Sequence, residues 1–343
     1  MNGRVVRTIR LLTLVALLPG LVWASGDLGI PNARSFDFEY DTIIKTLPQG
    51  AHELRLWIPA PQSGLSQQIS NLRIESPVPY TLHHEPKYGN QYAYLSITPG
   101  KVHFPIEVRM HFTATRRENR VDVNDPPASA TVKTPVSSAE LTRWLKPDQL
   151  VPIDGLIGQL SRQQTEGLTT SFAKARAIYK YVEANMRYDK SGTGWGRGDA
   201  LFACDAHRGN CTDFHSLFIG MARAADIPAR FEIGFPLPPN QDEGEIAGYH
   251  CWAEFYLQGV GWVPIDASEA WQNPARRSYY FGALDPNRVQ FTIGRDITLN
   301  PRQKGEPLNY FVYPYAELDG KPFADVEHKF SFHDIRNVAQ AEE

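Results

Sequence analysis

The chain has 343 residues, 42% hydrophobic and 21% charged, with a formal net charge of −3. It carries no basic run, no acidic tail and no low-complexity tract, so nothing in it suits a nucleic-acid partner. The length exceeds what one hydrophobic core usually holds, and two folded regions are expected.

Residues 1–24, MNGRVVRTIRLLTLVALLPGLVWA, set three arginines ahead of an apolar run from Leu11 to Leu18, with small-residue spacing at Val22 and Ala24. This is the pattern of a secretory signal peptide. The run falls short of the ~20 apolar residues a membrane helix needs and no second run follows, so stable membrane insertion is not expected. Cleavage would leave 319 residues with a net charge of −6, exported to a periplasmic or extracellular space.

Over 25–120 the pattern is short alternating runs, SFDFEY, HELRLWIPAP, QYAYLSI and IEVRMHFTATR, punctuated by Pro, Gly and Asn. In the last of these Ile106, Val108, Met110 and Phe112 fall on one face and Glu107, Arg109 and His111 on the other, the period of a half-buried antiparallel strand. A β-sandwich of about 100 residues is expected there. Residues 121–136 lack apolar periodicity and read as a linker. A second domain follows over 137–325, and 326–343 read as a C-terminal tail.

In the second domain, Phe172, Ala175, Tyr179, Val182 and Met186 recur at helical spacing, which predicts a helix over about 170–187. A glycine-rich loop then leads to Asn210. Asn210 suits a helix N-cap, Asp213 can close a capping box three residues on, and Phe214, Leu217, Phe218, Met221 and Ala225 give the helix an apolar face until Pro228 stops it. RFEIGF, HCWAEFYL and GWVPID read as strands, with Gly259 and Gly261 in the turn between the last two. VQFTIGRDITL and NYFVYPYAEL are expected to add strands to the same sheet.

Cys211 thus stands at the first position of a helix, where unpaired backbone N–H groups and the positive end of the helix dipole favour a thiolate. The same N–H groups can receive an oxyanion. A nucleophilic cysteine needs a base, and the base an orienting group. His250 opens one strand and Asp266 closes the next, and a hairpin turning near 258–260 brings them within a residue or two of direct opposition, with the register left open. Trp195 and Tyr188, ahead of the cysteine, are candidates for the cleft wall or the second oxyanion donor. Cys251 should face away from His250 and belong to the core. A zinc site from Cys204, His207, Cys211, His215, His250 and Cys251 can be drawn, but paired spacing stops at Cys204-x2-His207, so no metal and no cofactor is expected. A Cys204–Cys251 disulfide would still leave Cys211 free.

The ordered set GNCTDFHSLFIGMARAADIPARFEIGF and GYHCWAEFYLQGVGWVPIDAS resembles the transglutaminase-like superfamily, the papain-related fold. The resemblance covers about residues 170–270 and extends to about 320. It implies an α+β domain in which a cysteine-bearing helix packs on an antiparallel sheet, preceded here by a β-sandwich, with Cys211 as nucleophile, His250 as base and Asp266 as orienting acid. It implies thiol-dependent acyl transfer by way of a thioester, first of all hydrolysis of amide bonds in peptides, proteins or cell-wall peptides. The alternatives are amine crosslinking of protein glutamines and a non-catalytic envelope scaffold. No acidic calcium-loop motif accompanies the set.

Overall fold

A computed structural model describes residues 32–122 and 136–335. The expected signal peptide and most of the expected linker lie outside these residues. Three antiparallel sheets of four or five strands, two two-stranded pairings and a helical layer make up the described part.

The first sheet has the order Glu243–Glu245, Glu327–Asp334, Ala33–Ile44, Ile106–Arg117, Gln67–Glu75. Along Ala33–Ile44 burial alternates residue by residue, with Phe36, Phe38 and Tyr40 inside. The second sheet runs Lys321–Pro322, Tyr315–Leu318, Leu54–Pro59, Gln91–Ile97, Thr81–His84. The third runs Gly261–Ile265, His250–Leu257, Ala229–Pro236, Arg288–Ile293. Aromatic rings join the first sheet to the third: the centroid of Phe38 lies 5.6 Å from that of Phe235 and 5.8 Å from that of Phe291. The result is an α+β fold with sandwich-like N-terminal sheets, as expected.

The chain ends depart from expectation. Residues 327–334, read as tail, form a strand paired with Ala33–Ile44 along its length. Phe330 and Phe332 are buried on it, but an alternation of two aromatics among Lys, Ser and His is too short to stand out in sequence. Of the two late strands assigned to the catalytic-type sheet, Arg288–Ile293 does pair with Ala229–Pro236. Tyr315–Leu318 instead pairs with Leu54–Pro59 in the second sheet. The strands Gln67–Glu75 and Thr81–His84 were not expected; the alternation of the first is broken by an irregularity between Ser70 and Arg73, and the second is four residues long and mostly exposed.

The expected helices form at Ser171–Asn185, capped by Thr170, and at Cys211–Ala224, capped by Asn210. The second of these, the central helix, reads as amphipathic yet is buried on every side from Cys211 to Arg223. Its polar residues are buried because each has a partner: Arg223 donates to Asp148 at 2.6 Å and to the Ala229 carbonyl at 3.0 Å, and Ser216 receives Arg295. Complete burial of Phe214, Leu217, Phe218 and Met221 stabilises the helix's place by about 1.5–3 kcal/mol for each side chain.

Candidate functional site

The site begins with the cap of the central helix. Asn210 Oδ1 accepts from the Thr212 N–H at 3.0 Å, and Asp213 Oδ2 accepts from the Asn210 N–H at 2.9 Å, closing the capping box. The Asp213 carboxylate has a second task that the sequence did not disclose. It accepts from the N–H groups of Gly196 at 2.7 Å and Gly198 at 3.0 Å, so the glycine-rich loop is pinned to the helix start. Gly209 makes room for this carboxylate: at φ +154° a Cβ there would sit 2.2 Å from Asp213 Oδ2. The glycine two residues before Cys211 is therefore required by packing as well as by backbone conformation.

Arg295 holds the same loop from the other side. Its guanidinium donates to the carbonyls of Gly198 at 2.7 Å and Arg197 at 2.9 Å and to Ser216 Oγ at 2.5 Å. Tyr310 donates to the Gly196 carbonyl at 3.2 Å. Trp195, one of the two candidate donors in this region, has its indole N–H turned onto the Gly192 carbonyl at 3.1 Å, within its own loop. Tyr188 lies elsewhere. Its two-residue strand pairs with Arg208–Gly209, matching Tyr188 to Gly209 and so bringing the ring beside the helix start, 6.2 Å from Phe214 by centroid. Burial, and after it the charge of Cys211, pushes the Tyr188 phenol's pKa up.

His250 is the first residue of its strand, and its Nε2 is 2.7 Å from Asp266 Oδ2. The pairing of Ala253 with Ile265 puts Asp266 one step past the ladder, offset by two residues from His250 and on the same side. Asp266 is also the N-cap of Ala267–Gln272: its Oδ1 accepts from the Glu269 N–H and the Ser268 hydroxyl, each at 3.0 Å. A fourth partner is Arg288, whose Nη1 donates to Oδ2 at 2.9 Å. Nothing in the local sequence marks Arg288, because the contact depends on how the third sheet is ordered.

These contacts set the charges. Burial alone would raise the Asp266 pKa, but the His250 charge and hydrogen bond, with Arg288 behind them, hold it below the usual carboxylate range. Burial would lower His250, yet Asp266, followed by Cys211, raises it well above an ordinary histidine. For Cys211, burial pushes the thiol up, and this is outweighed by hydrogen bonds with Cys251 and His250 and by the potential of His250 and His215, leaving it well below an ordinary thiol. Cys211 and His250 thus favour a thiolate and an imidazolium. Nε2 of His250 is taken by Asp266, which leaves Nδ1 to face the sulfur.

Cys251 follows the alternation of its strand and turns away from Trp252 and toward the central helix. It is not inert filling there. Its Sγ is 3.5 Å from His215 Nδ1, and its thiol is among the groups that lower the Cys211 pKa. His215, weighed as a metal partner of Cys211, accepts from the Ala267 N–H through Nε2 at 3.2 Å. Since an amide can only donate, the proton of the neutral ring lies on Nδ1, toward Cys251. Burial keeps this ring's pKa below that of an ordinary histidine. All three cysteines are free, and Cys204 sits apart on Ala200–Ala206.

A cavity of about 520 Å³ opens beside His250. Leu237, Ile246, Glu269, Arg276 and Tyr280 are among its walls, while Cys211, only 1% exposed, is not.

The profile of the transglutaminase-like superfamily matches residues 158–267, which take in Cys211, His250 and Asp266. An uncharacterized protein of Haemophilus influenzae is 29% identical over 350 residues, covering 89% of this chain and 93% of the relative. YebA of Bacillus subtilis, also uncharacterized, is 25% identical over 131 residues, 34% of this chain and 18% of the relative. Among solved structures, one described as a "Putative Cysteine Protease from Cytophaga hutchinsonii" superposes with a TM-score of 0.61 at 17% identity, covering 90% of this chain and 92% of that one. That likeness establishes the shared fold. Residues 158–267 of this chain are accordingly a domain of the transglutaminase-like superfamily, set within a larger α+β fold.

Proposed function

We propose that the protein is an exported cysteine-dependent acyl-transfer enzyme that hydrolyses amide bonds of peptides, proteins or cell-wall peptides. One observation carries this reading above the others: His250 and Asp266 are joined at 2.7 Å near a buried Cys211, with the thiol driven down and the imidazole driven up in pKa. Such a thiolate–imidazolium pair is the resting state a thiol nucleophile needs.

In this reading Cys211 attacks the substrate carbonyl through its sulfur. The oxyanion that forms is received by the Cys211 N–H, free of an intrahelical acceptor at the helix's first position, and by the Tyr188 hydroxyl. Tyr188 is preferred to Trp195 because the indole N–H is already engaged by Gly192 while no described residue bonds the phenol. The His250 imidazolium protonates the departing amine, which breaks the C–N bond and leaves a thioester on Cys211. The cavity reaches His250 and not Cys211, so it suits the leaving group. A water, deprotonated by the now neutral His250, then attacks the thioester and returns the thiolate. Asp266 keeps the imidazole oriented throughout and stabilises its charged form.

Export follows from residues 1–24, and among the described residues no helix is long and apolar enough to cross a membrane. The test is mass-spectrometric mapping of iodoacetamide labelling on the mature protein from pH 4 to 9. Rapid alkylation of Cys211 below the ordinary thiol pKa of ~8.5, lost in His250→Ala, is expected. Labelling no faster than at Cys204 would leave a scaffold as the better description.

A further inference from the structure

We propose that Cys251 is a resolving thiol for Cys211, so that a peroxide-class oxidant converts the pair into a reversible disulfide that switches the site off and shields Cys211 from irreversible oxidation. The proposal rests on the reading of Cys211 as a reactive thiol. It gives a task to a buried thiol that takes no bond-making part in the acyl transfer.

The geometry comes from the packing of the central helix on the His250–Leu257 strand. Cys211 opens that helix, His215 is one turn along it, and Cys251 is the second residue of the strand facing both. The Cys251 sulfur is 3.5 Å from His215 Nδ1, one helical turn from Cys211, and near enough to the Cys211 thiol that each shifts the other's pKa. Both cysteines are free and essentially solvent-inaccessible, at 1% and 0% exposure. No other thiol competes, because Cys204 lies on another helix. Bonding requires the S–S distance to shorten to ~2.05 Å, which side-chain rotation across the helix–strand seam must supply.

The chemistry balances without further reagents. The Cys211 thiolate attacks one oxygen of hydrogen peroxide; the S–O bond forms, the O–O bond breaks, and the departing hydroxide takes a proton from the His250 imidazolium to leave as water. Cys211 is now a sulfenic acid. Cys251 then attacks that sulfur, its own thiol proton passing to the hydroxyl, which leaves as a second water as the S–S bond closes. The Nδ1–H of His215 points at the attacking sulfur and stabilises the negative charge that develops there. Two thiols are oxidised and one peroxide is reduced. A dithiol reductant reverses the result by exchange.

The arrangement also explains why a second cysteine stands here at all. An ordinary small hydrophobe would fill the same volume, yet it would leave a sulfenic acid at Cys211 with no partner and free to climb to sulfinic and sulfonic acid.

The experiment treats the mature wild-type protein, Cys251→Ala and Cys251→Ser with stepwise hydrogen peroxide, followed by intact-mass and non-reducing peptide mapping. Wild type should become two hydrogens lighter, yield a Cys211–Cys251 cross-linked peptide, lose iodoacetamide labelling at Cys211 and regain it with dithiothreitol. Both variants should instead gain two or three oxygens at Cys211, with no recovery in dithiothreitol. Using two variants guards against a packing defect in either one, and circular dichroism before oxidation checks their fold. The proposal is overturned if wild type and variants over-oxidise alike, if Cys211 bonds Cys204 instead, or if peroxide leaves Cys211 labelling intact. Slow alkylation of Cys211 in the reduced protein would defeat the nucleophile reading itself; fast alkylation without the cross-link would defeat this inference alone.

Discussion

Asp266→Asn tests the charge arrangement most directly. The side chain keeps its shape, but an amide group replaces one carboxylate oxygen. Oδ1 already receives the Ser268 hydroxyl and the Glu269 N–H, while Oδ2 receives His250 at 2.7 Å and Arg288 at 2.9 Å. An asparagine that keeps its oxygen toward the first two presents N–H to the second two, and two donors then face a donor. Removing one partner of a fully buried ion pair costs about 3–5 kcal/mol. At roughly 2–4 °C per kcal/mol for a chain of this size class, Tm should fall by about 6–20 °C at pH 6. The pH dependence has a definite sign. Asp266 is held below its unfolded value, so its contribution is present above about pH 4 and disappears as pH falls through the folded pKa; His250 is held above ~6.5, so its contribution is full below that pH and fades as pH rises through the folded pKa. The difference between wild type and variant should therefore be widest between about pH 4 and 6.5 and should narrow on the alkaline side. Hydrolytic activity should fall about 10³–10⁴-fold, and the alkylation profile of Cys211 should move toward higher pH as His250 loses its positive charge. A Tm change below about 2 °C at pH 6, together with an unchanged alkylation profile, would refute the charge assignment.

Tyr188→Phe should lower kcat about 10²-fold while leaving iodoacetamide labelling of Cys211 unchanged, since alkylation passes through no oxyanion; Trp195→Phe should have a much smaller effect on kcat, and the reverse ranking would reassign the donor. Gly209→Ala, which sets a Cβ against the Asp213 carboxylate, should lower the denaturation midpoint by the equivalent of about 1–3 kcal/mol, read from urea unfolding; an unchanged midpoint would mean the helix start has room to spare. Glu232 faces Glu254 across two strands, and burial, reinforced by that neighbour, raises its pKa to about 7. A carboxyl raised above its unfolded ~4.3 contributes stability that is lost as pH rises through its folded value, so Glu232→Gln should become progressively less destabilising relative to wild type between pH 4.5 and 7.5; a pH-independent difference would argue against the raised pKa.

What the sequence disclosed about the site was its local part. The cap at Asn210, the capping box through Asp213 and the helix it opens involve residues within a few positions of one another, so propensity and spacing suffice. The His250 to Asp266 relation was legible because a hairpin of short turn converts sequence distance into spatial distance. The rest depended on how distant elements meet. Nothing near Arg288 or Arg295 marks them as partners of Asp266 or of the glycine loop, and only the strand order of the third sheet brings them there. Cys251 was correctly placed on the opposite side of its strand from its neighbours, but which side carried the central helix was not written in the strand. The last strand was missed because its alternation is short and its pairing partner lies about 290 residues earlier, as in Phe38 with Phe332.

The same long-range logic decides how the cleft is held. Acyl transfer requires reacting groups to stay within about 0.5 Å of productive positions, and such precision needs support from outside the reacting groups. Here the support comes from the N-terminal strands. Arg34 donates to the carbonyls of Pro238 at 3.0 Å and Gln241 at 2.6 Å and to Asn287 Oδ1 at 3.0 Å, all three on the wall of the cavity beside His250, while its Nε is anchored by Asp334 at 2.9 Å. On the other side Tyr88 donates to the Arg295 carbonyl at 2.8 Å and packs against Gly294, where a Cβ would come within 2.4 Å of its ring. Arg295 in turn carries the loop that leads to Cys211. One bracing path thus reaches the leaving-group wall and another the helix start, and both originate in residues that sequence periodicity marks only as strand and turn. The exposed face of a β-sandwich explains neither; a buried guanidinium and a half-buried phenol aimed at backbone carbonyls around the cleft do.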